Sequence, residues 1–469
     1  MIDRLAIFGA TGDLTARFLL PALGTLCAHG DLPEGFQLTC ASREEWTTAQ
    51  YRQWAADQLD RHCADLPKPA RDALVAATRY LRVDVSNPED VPAALPQDRP
   101  VAAYLALPPF LFPSTVTALR RAGLGRDSRI VLEKPFGEDL SSAVHLNQLL
   151  ADLLPEQAIF RIDHFLAMTT VQNLLGSRLA NRILEPVWNS SNIAKVEIVW
   201  EEALALEGRA AYYDGVGALK DMVQNHLLQI MCLVAMEPPL SLGEADLRDR
   251  KRDVLRSVRR LSPADMLGRT RRASYTAGRV DGNEIPAYVD EQGVQPDRHT
   301  ETFAEVNLEI ENWRWAGAVF QLRTGKAFAR DRKEVALHLR PVPHLPFGDD
   351  SDAPPNVLRF GLEPEHTAID LVGIGPHTHT LAPISLRAQA EPAALPAYGR
   401  LLLDVLNGDP TLSIRDDEAE LAWQVLTPVI EAWSSDAVPM EEYPAGSTGP
   451  RARSLDAHRE LHSLDLGVG

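Results

Sequence analysis

Cysteine is scarce in this chain: four in 469 residues, at Cys27, Cys40, Cys63 and Cys232, with no CxxC pair among them. That rules out a dense disulfide framework and reads as four reduced core thiols of a cytoplasmic protein. Long apolar runs are missing as well. The longest, Leu227 to Met236, is interrupted by Gln229 and is far too short to span a bilayer. The N-terminus opens on a strand-like run rather than on a basic stretch followed by an apolar one, so no signal peptide is expected. Positive charge is in deficit, with 47 Lys and Arg against 65 Asp and Glu and a formal net charge of -18. This argues against nucleic acid or an anionic membrane as partner, and any phosphorylated ligand must be met by a few locally gathered cations. Internal repeats and low-complexity tracts are also lacking. The remaining composition, 45% apolar and 24% charged, is that of a soluble globular protein, and its length calls for two domains.

The first half alternates strand and helix patterns. Leu5-Ala6-Ile7-Phe8 runs into Gly9-Ala10-Thr11-Gly12-Asp13-Leu14, and a helical pattern follows through Leu19, Leu20, Leu23 and Leu26. Strand, glycine turn and helix open a dinucleotide-binding fold. The glycines admit the pyrophosphate and the helix start offers free N–H groups. The spacing is GxxG rather than GxGxxG, so a purely structural turn fits equally well. Gln37-Leu38-Thr39-Cys40 is the next strand, followed by Ala41-Ser42-Arg43. An arginine just past the second strand favours NADP, although Glu44 and Glu45 follow at once and either could serve a ribose hydroxyl. Two more strands end in Leu107-Pro108-Pro109 and in Glu133-Lys134-Pro135-Phe136-Gly137. Lys134 leaves a buried run and needs a partner, with Glu133 as the bland one.

At Phe160-Arg161-Ile162-Asp163-His164-Phe165 an apolar run meets an acid–imidazole pair, and a second imidazole lies in Asp221-Met222-Val223-Gln224-Asn225-His226. Asp163 and His226 would form a carboxylate-oriented general base if the fold unites them. Beyond His164 the texture changes. Thr169 to Leu184 and Gly217 to Met236 read as helices, and alternating segments such as Ala194 to Trp200, Val306 to Ile310 and Val335 to Leu339 read as half-buried strands. The expectation is α/β plus α+β: residues 1–164 as a Rossmann-like doubly wound NADP domain, and 165–469 as an α+β substrate and dimerisation domain with a large, mainly antiparallel sheet.

Taken in order, these segments resemble glucose-6-phosphate dehydrogenase over essentially the whole chain. Arg161 to Leu166, Val171 to Leu174, Ala180 to Ile183, Asp221 to Gln229, Asn312 to Gly317, Leu322 to Lys326 and Gly446 to Pro450 join the motifs already quoted. The resemblance implies NADP-dependent oxidation of a hexose 6-phosphate at C1 to a lactone, in a cytoplasmic homodimer or homotetramer. It implies His226 as general base and Asp163 as the carboxylate that orients it. Lys134, His164, Glu202, Asp221 and Lys326 become substrate ligands. Gly9, Thr11, Gly12, Asp13, Leu14, Ser42, Arg43 and Lys134 become cofactor ligands, and no metal is implied. On an α-helix Asp221 and His226, five apart, stand about 140° round the axis and cannot share a face. One departure stands out: where relatives carry a lysine for the 6-phosphate, this chain has Met168, and Phe18 replaces another frequent lysine. Arg17, Arg178, Arg330 and Arg332 are the nearby replacements. The alternatives are a paralogue acting on an unphosphorylated or differently substituted sugar, and a silenced homologue acting as a binding or regulatory subunit.

Overall fold

Short apolar runs become buried parallel strands, and together with one polar edge strand they build the six parallel strands of the first sheet. They are β1 (Arg4–Phe8), β2 (Gln37–Ser42), β3 (Thr78–Arg82), β4 (Ala102–Leu105), β5 (Arg129–Glu133) and β6 (Ile159–Ile162). Their spatial order is β6-β5-β4-β1-β2-β3, all parallel, with the two-residue strand Ser413–Ile414 antiparallel on the β6 edge. This is the doubly wound order whose direction reverses between β1 and β4, and ligands in such sheets sit beyond the strand ends at that point. The computed structural model describes residues 1–96, 99–206, 208–347, 353–375, 380–389, 391 and 393–451.

The compact unit containing this sheet draws on three stretches, Met1–Gly176, Cys232–Arg256 and Glu391–Gln424. Buried charge shows why the stretches belong together. Arg161, fully buried on β6, donates to Glu156 at 2.8 Å and to Asn147 at 2.8 and 3.1 Å. Arg248, equally buried, reaches the same Glu156 oxygen at 3.0 Å, and the Asp416 backbone N–H reaches it at 3.2 Å. Lys251 and Glu418 pair at 2.8 Å, both buried. A guanidinium out of water needs a carboxylate, and one glutamate here serves all three stretches.

The second unit comprises Ser177–Met231, Ser257–Ala390 and Val425–Gly469. Its sheet has nine strands: β7 (Ile193–Glu201), β8 (Thr270–Thr276), β9 (Phe303–Leu308), β10 (Val319–Gly325), β11 (Arg332–Leu339), β12 (Val357–Leu362), β13 (Glu365–Ile374), β14 (Leu381–Ala388) and β15 (Met440–Pro444). The order is β14-β13-β12-β11-β7-β10-β9-β8-β15. The β7–β10 and β8–β15 pairs are parallel and the others antiparallel. The expected α/β plus α+β architecture is therefore present. Strand β9 is buried along its whole length, so its alternating sequence is covered on both faces rather than one. The outer strands keep apolar side chains in solvent, with Ile374 at 69% and Leu386 at 58% exposed.

The helix expected at Gly217 to Met236 differs in kind. Residues Leu219–Leu227 are π-helical and only Leu228–Ala235 is α-helical. The Leu228 N–H reaches the Val223 carbonyl, five residues back, and the Asn225 side chain donates to the Lys220 carbonyl at 3.0 Å. Among the described residues no helix is long and apolar enough to cross a membrane.

Candidate active site

At the end of β1 the chain turns at Gly9, whose φ of +85° lies in the left-handed region. The Gly9 and Ala10 N–H groups donate to the Ala41 carbonyl at 2.9 and 3.1 Å, and the Gly12 N–H closes the turn on the Gly9 carbonyl at 3.0 Å. A Cβ on Gly9 would stand 2.1 Å from the Ala106 carbonyl oxygen, so only glycine lets the turns after β1 and β4 approach. The buried Tyr51 hydroxyl holds the Ala10 carbonyl at 2.9 Å. Gly12 and Asp13 are exposed and Leu14 is half-buried where the helix begins, which suits an anion at its N–H groups. The sequence left open whether this was only a structural turn, and the strand order places it at the switch point.

Next to this turn, at the end of β2, the Thr11 and Ser42 hydroxyls lie 2.8 Å apart and Thr11 donates to the Glu44 carboxylate at 2.9 Å. The Arg43 side chain is 84% exposed, with its Nε 4.0 Å from Glu44. Burial alone would raise the Glu44 carboxyl. Hydrogen bonds from Ser42, its own backbone and Thr11, with the Arg43 charge, hold it below the ordinary glutamate range.

The ends of β5 and β6 are paired in register, Glu133 beside Ile162. They carry Lys134, Asp163 and His164. The Tyr104 hydroxyl donates to Glu133. Burial pushes the Glu133 carboxyl up to about 7, against the Tyr104 hydrogen bond and the Lys134 charge. Tyr398 adds a further hydrogen bond to Glu133, and its own hydroxyl is raised by burial and by the charges of Glu133 and Asp163. Its ring stacks on His164 at 5.4 Å and lies 5.4 Å from Phe18. Asp163 is fully buried, and one of its oxygens accepts the Phe165 N–H at 3.0 Å. Met168, half-buried, ends this turn where the helix Thr169–Ala180 begins. Tyr104 and Tyr398 escaped the sequence reading. Tyr104 was legible as the one polar tip in an apolar strand, whereas Tyr398 comes from a remote helix, Ala397–Asn407, and gave no local sign.

In the second unit, Lys326 and Glu202, read separately as phosphate and sugar ligands, form an ion pair. The Glu202 N–H donates to the Gly325 carbonyl at 3.0 Å, and the Tyr443 hydroxyl fixes the Lys326 carbonyl at 2.7 Å. Asp221 and His226 lie within the π-helical turn. Hydrogen bonding from i to i+5 brings residues five apart towards one face, so the 140° separation expected of an α-helix does not apply. His226 is 1% exposed. The start of this helix is held by Glu301, which the sequence did not reveal: its carboxylate accepts the Leu219 N–H at 2.8 Å. Burial drives the Glu301 acid up to about 7 in spite of its backbone hydrogen bonds. Two replacement cations are spoken for. Arg178 is fully buried, pairs with Glu185 at 2.7 Å and lies over Trp188, while Arg332 pairs with Glu197 and Glu334 at 2.7 and 2.8 Å. Arg17 is half-exposed beside Asp13 at 3.4 Å, and Arg330 is exposed.

Residues 6–173 match the family model described as glucose-6-phosphate dehydrogenase, NAD binding domain, and 175–462 match its C-terminal domain. The chain is 37% identical over 477 residues to glucose-6-phosphate 1-dehydrogenase of Zymomonas mobilis, covering 98% of each. Its structure is similar to that of the Mycobacterium avium protein of the same name, at 33% identity and a TM-score of 0.83, covering 96% of this chain and 95% of the other. It is similar also to a glucose-6-phosphate dehydrogenase in complex with glucose 6-phosphate, at 28% identity and a TM-score of 0.84, covering 100% and 99%.

Proposed function

The chain belongs to the glucose-6-phosphate dehydrogenase family, and we propose that it oxidises a hexose 6-phosphate at C1 to the lactone. NADP, when bound, supplies the acceptor for the C1 hydride. His226 takes the proton of the C1 hydroxyl, since an imidazole is suited to this near neutrality. Asp163 orients that ring and balances its positive charge as hydride departs. The Gly9 to Leu14 turn receives the pyrophosphate, and Ser42 and Arg43 meet the ribose 2′-phosphate. Lys134 lies between cofactor and sugar, Glu202 and Asp221 take sugar hydroxyls, and His164 and Lys326 take the phosphate.

One observation carries this reading. Family similarity runs through both halves of the chain, and the two groups a base mechanism needs, Asp163 and His226, are each retained and buried. The Lys326–Glu202 pair supports a division of labour in which the ammonium turns to the phosphate while the carboxylate turns to a hydroxyl. The outer strands of the second sheet, with their exposed apolar side chains, suit a homodimer or homotetramer, and the four free cysteines suit the cytoplasm.

Initial rates of NADP reduction with glucose 6-phosphate and with glucose test the proposal. Turnover of the phosphate ester far above that of glucose is expected. Turnover of glucose alone would point to the altered-substrate paralogue, and dinucleotide binding without turnover of either would point to a silenced homologue. His226→Asn should abolish turnover while leaving NADP binding in place; retained turnover would show that another group is the base.

A further inference from the structure

We infer that this protein carries a second small-molecule site, at the amino ends of the first sheet's strands, which takes a phosphate ester with an apolar body. Dinucleotide and sugar belong at the carboxyl ends of such strands. A cleft of about 470 Å³ opens at the opposite end, between the starts of β1, β2 and β3 and the segment that leads into β4. Strand β1 sets its whole length, Arg4–Phe8, between this cleft and the glycine turn, a separation of about 16 Å.

The charge of the lining is opposite to that of the chain. It holds three arginines, Arg4, Arg52 and Arg79, and among the described residues neither aspartate nor glutamate, in a protein whose net charge is -18. Asp3, next to Arg4 in sequence, pairs with Arg99 at 3.2 Å. Arg52, on the helix Thr48–His62, is fastened by neutral partners. Its Nε donates to the Thr78 carbonyl at 2.9 Å and one Nη to the Ala76 carbonyl at 2.6 Å. Carbonyls orient a guanidinium without cancelling its charge, and of its five N–H donors these bonds use two. Arg79, one residue beyond Thr78, is exposed. Among the described residues neither Arg52 nor Arg79 pairs with a carboxylate, whereas Arg161, Arg248 and Arg332 are each matched to a glutamate. Tying the helix Lys68–Ala76 to β3 accounts for the two bonds of Arg52. It does not account for a second arginine in the same acid-free cleft, where like charges repel unless an anion joins them.

Two further features set the ligand class. A guanidinium fork matches phosphate oxygens in a bidentate fashion. Phe36, Leu38 and Leu95 supply an apolar wall, and the volume lies within the range of small-molecule sites, about 300–1,000 Å³. A free phosphate ion would leave that wall uncovered, whereas a phosphate monoester on an aromatic or aliphatic body uses both the wall and the cations.

Calorimetric titration with phenyl phosphate tests this, with NADPH and glucose 6-phosphate both saturating so that the dinucleotide and sugar sites are blocked by a pair that cannot react. One phenyl phosphate per chain should bind with a Kd of about 1 mM or tighter, and inorganic phosphate about tenfold more weakly, since it covers none of the wall. Arg79→Gln should weaken phenyl phosphate by about tenfold, one charge-assisted bond, and Arg79→Lys should restore part of the loss. Arg52→Gln should weaken it as well but also gives up two backbone bonds, so Arg79→Gln, whose urea midpoint should equal that of wild type, decides the matter. Arg120→Gln, which removes an exposed arginine paired with Asp152, should leave the Kd unchanged. Should neither NADPH nor glucose 6-phosphate bind, the functional reading fails while the dependence on Arg79 still decides this one. The proposal is overturned by the absence of saturable binding below about 10 mM, by equal affinity for inorganic phosphate, or by a Kd in Arg79→Gln within about twofold of wild type. An equal loss in Arg120→Gln, or binding that appears only when NADPH and glucose 6-phosphate are left out, overturns it too.

Discussion

Gly9→Ala should damage cofactor binding out of proportion to its effect on stability, and Gly30→Ala provides the control. Both glycines are in the left-handed region, Gly9 at φ +85° and Gly30 at φ +75°. Each alanine therefore carries a conformational cost of about 1–2 kcal/mol. A Cβ at Gly30 meets nothing within 4 Å, whereas at Gly9 it would lie 2.1 Å from the Ala106 oxygen and 2.9 Å from its carbon. Ordinary C···O contacts begin at about 3.3 Å, so the turns after β1 and β4 must part by about 1.2 Å. Strands β1 and β4 are paired and buried, so the movement falls on the turns and displaces the N–H groups proposed to meet the pyrophosphate. A displacement of that size costs on the order of a hundredfold in a positioned reaction. The expected result is a fall in kcat/KM for NADP of about a hundredfold in Gly9→Ala and less than threefold in Gly30→Ala, a contrast that clears the usual context-dependence of such costs. Urea unfolding should show about 1–2 kcal/mol lost in the control and more in Gly9→Ala. Equal kinetic effects in the two variants would refute the argument, because the steric approach to Ala106 would then have no functional weight.

Three further outcomes are expected. Glu156→Gln removes the carboxylate of buried Arg161 and leaves Arg248 only that of Glu244, 2.6 Å away, which should cost about 3–5 kcal/mol by chemical denaturation; a loss below about 1 kcal/mol would mean that Asn147 and Glu244 suffice. Met168→Lys should lower KM for glucose 6-phosphate by about tenfold, one charge-assisted bond, and an unchanged KM would show the phosphate already fully met. Asp404 is raised to about 7, first by burial and then by the Asp409 charge. Its folded value exceeds its unfolded one, so its contribution to stability is complete below about pH 4 and is lost as pH climbs towards 7. Asp404→Asn should therefore match wild type at pH 4 and exceed it at pH 8, on the order of 1 kcal/mol; a pH-independent difference would contradict this.

The first sheet was legible wherever a strand is an unbroken apolar run, as in Leu5 to Phe8 or Ile130 to Leu132, because burial on both faces demands that composition. Strand β3, Thr-Arg-Tyr-Leu-Arg, was not read as one. Among the described residues it lies at the sheet edge and pairs with β2 alone, and an edge strand tolerates charge. At the site, the glycine turn and the acid–imidazole motifs announced themselves because their chemistry is carried by neighbours in sequence. Partners distant in sequence did not. Lys326 with Glu202 and Glu301 beneath the helix start are pairings that no local pattern encodes.

The amino-acid order alone thus determined the two sheet types and the glycine turn after β1, since hydrophobic periodicity and motif spacing are short-range properties. Only the tertiary structure decided how Asp221 and His226 are spaced, because the same residues can follow a 3.6-residue α-helical period or hydrogen-bond from i to i+5, and packing selects between them. It likewise decided which cations remain in solvent: a charge stays available or becomes committed according to the carboxylate that the folded chain brings beside it.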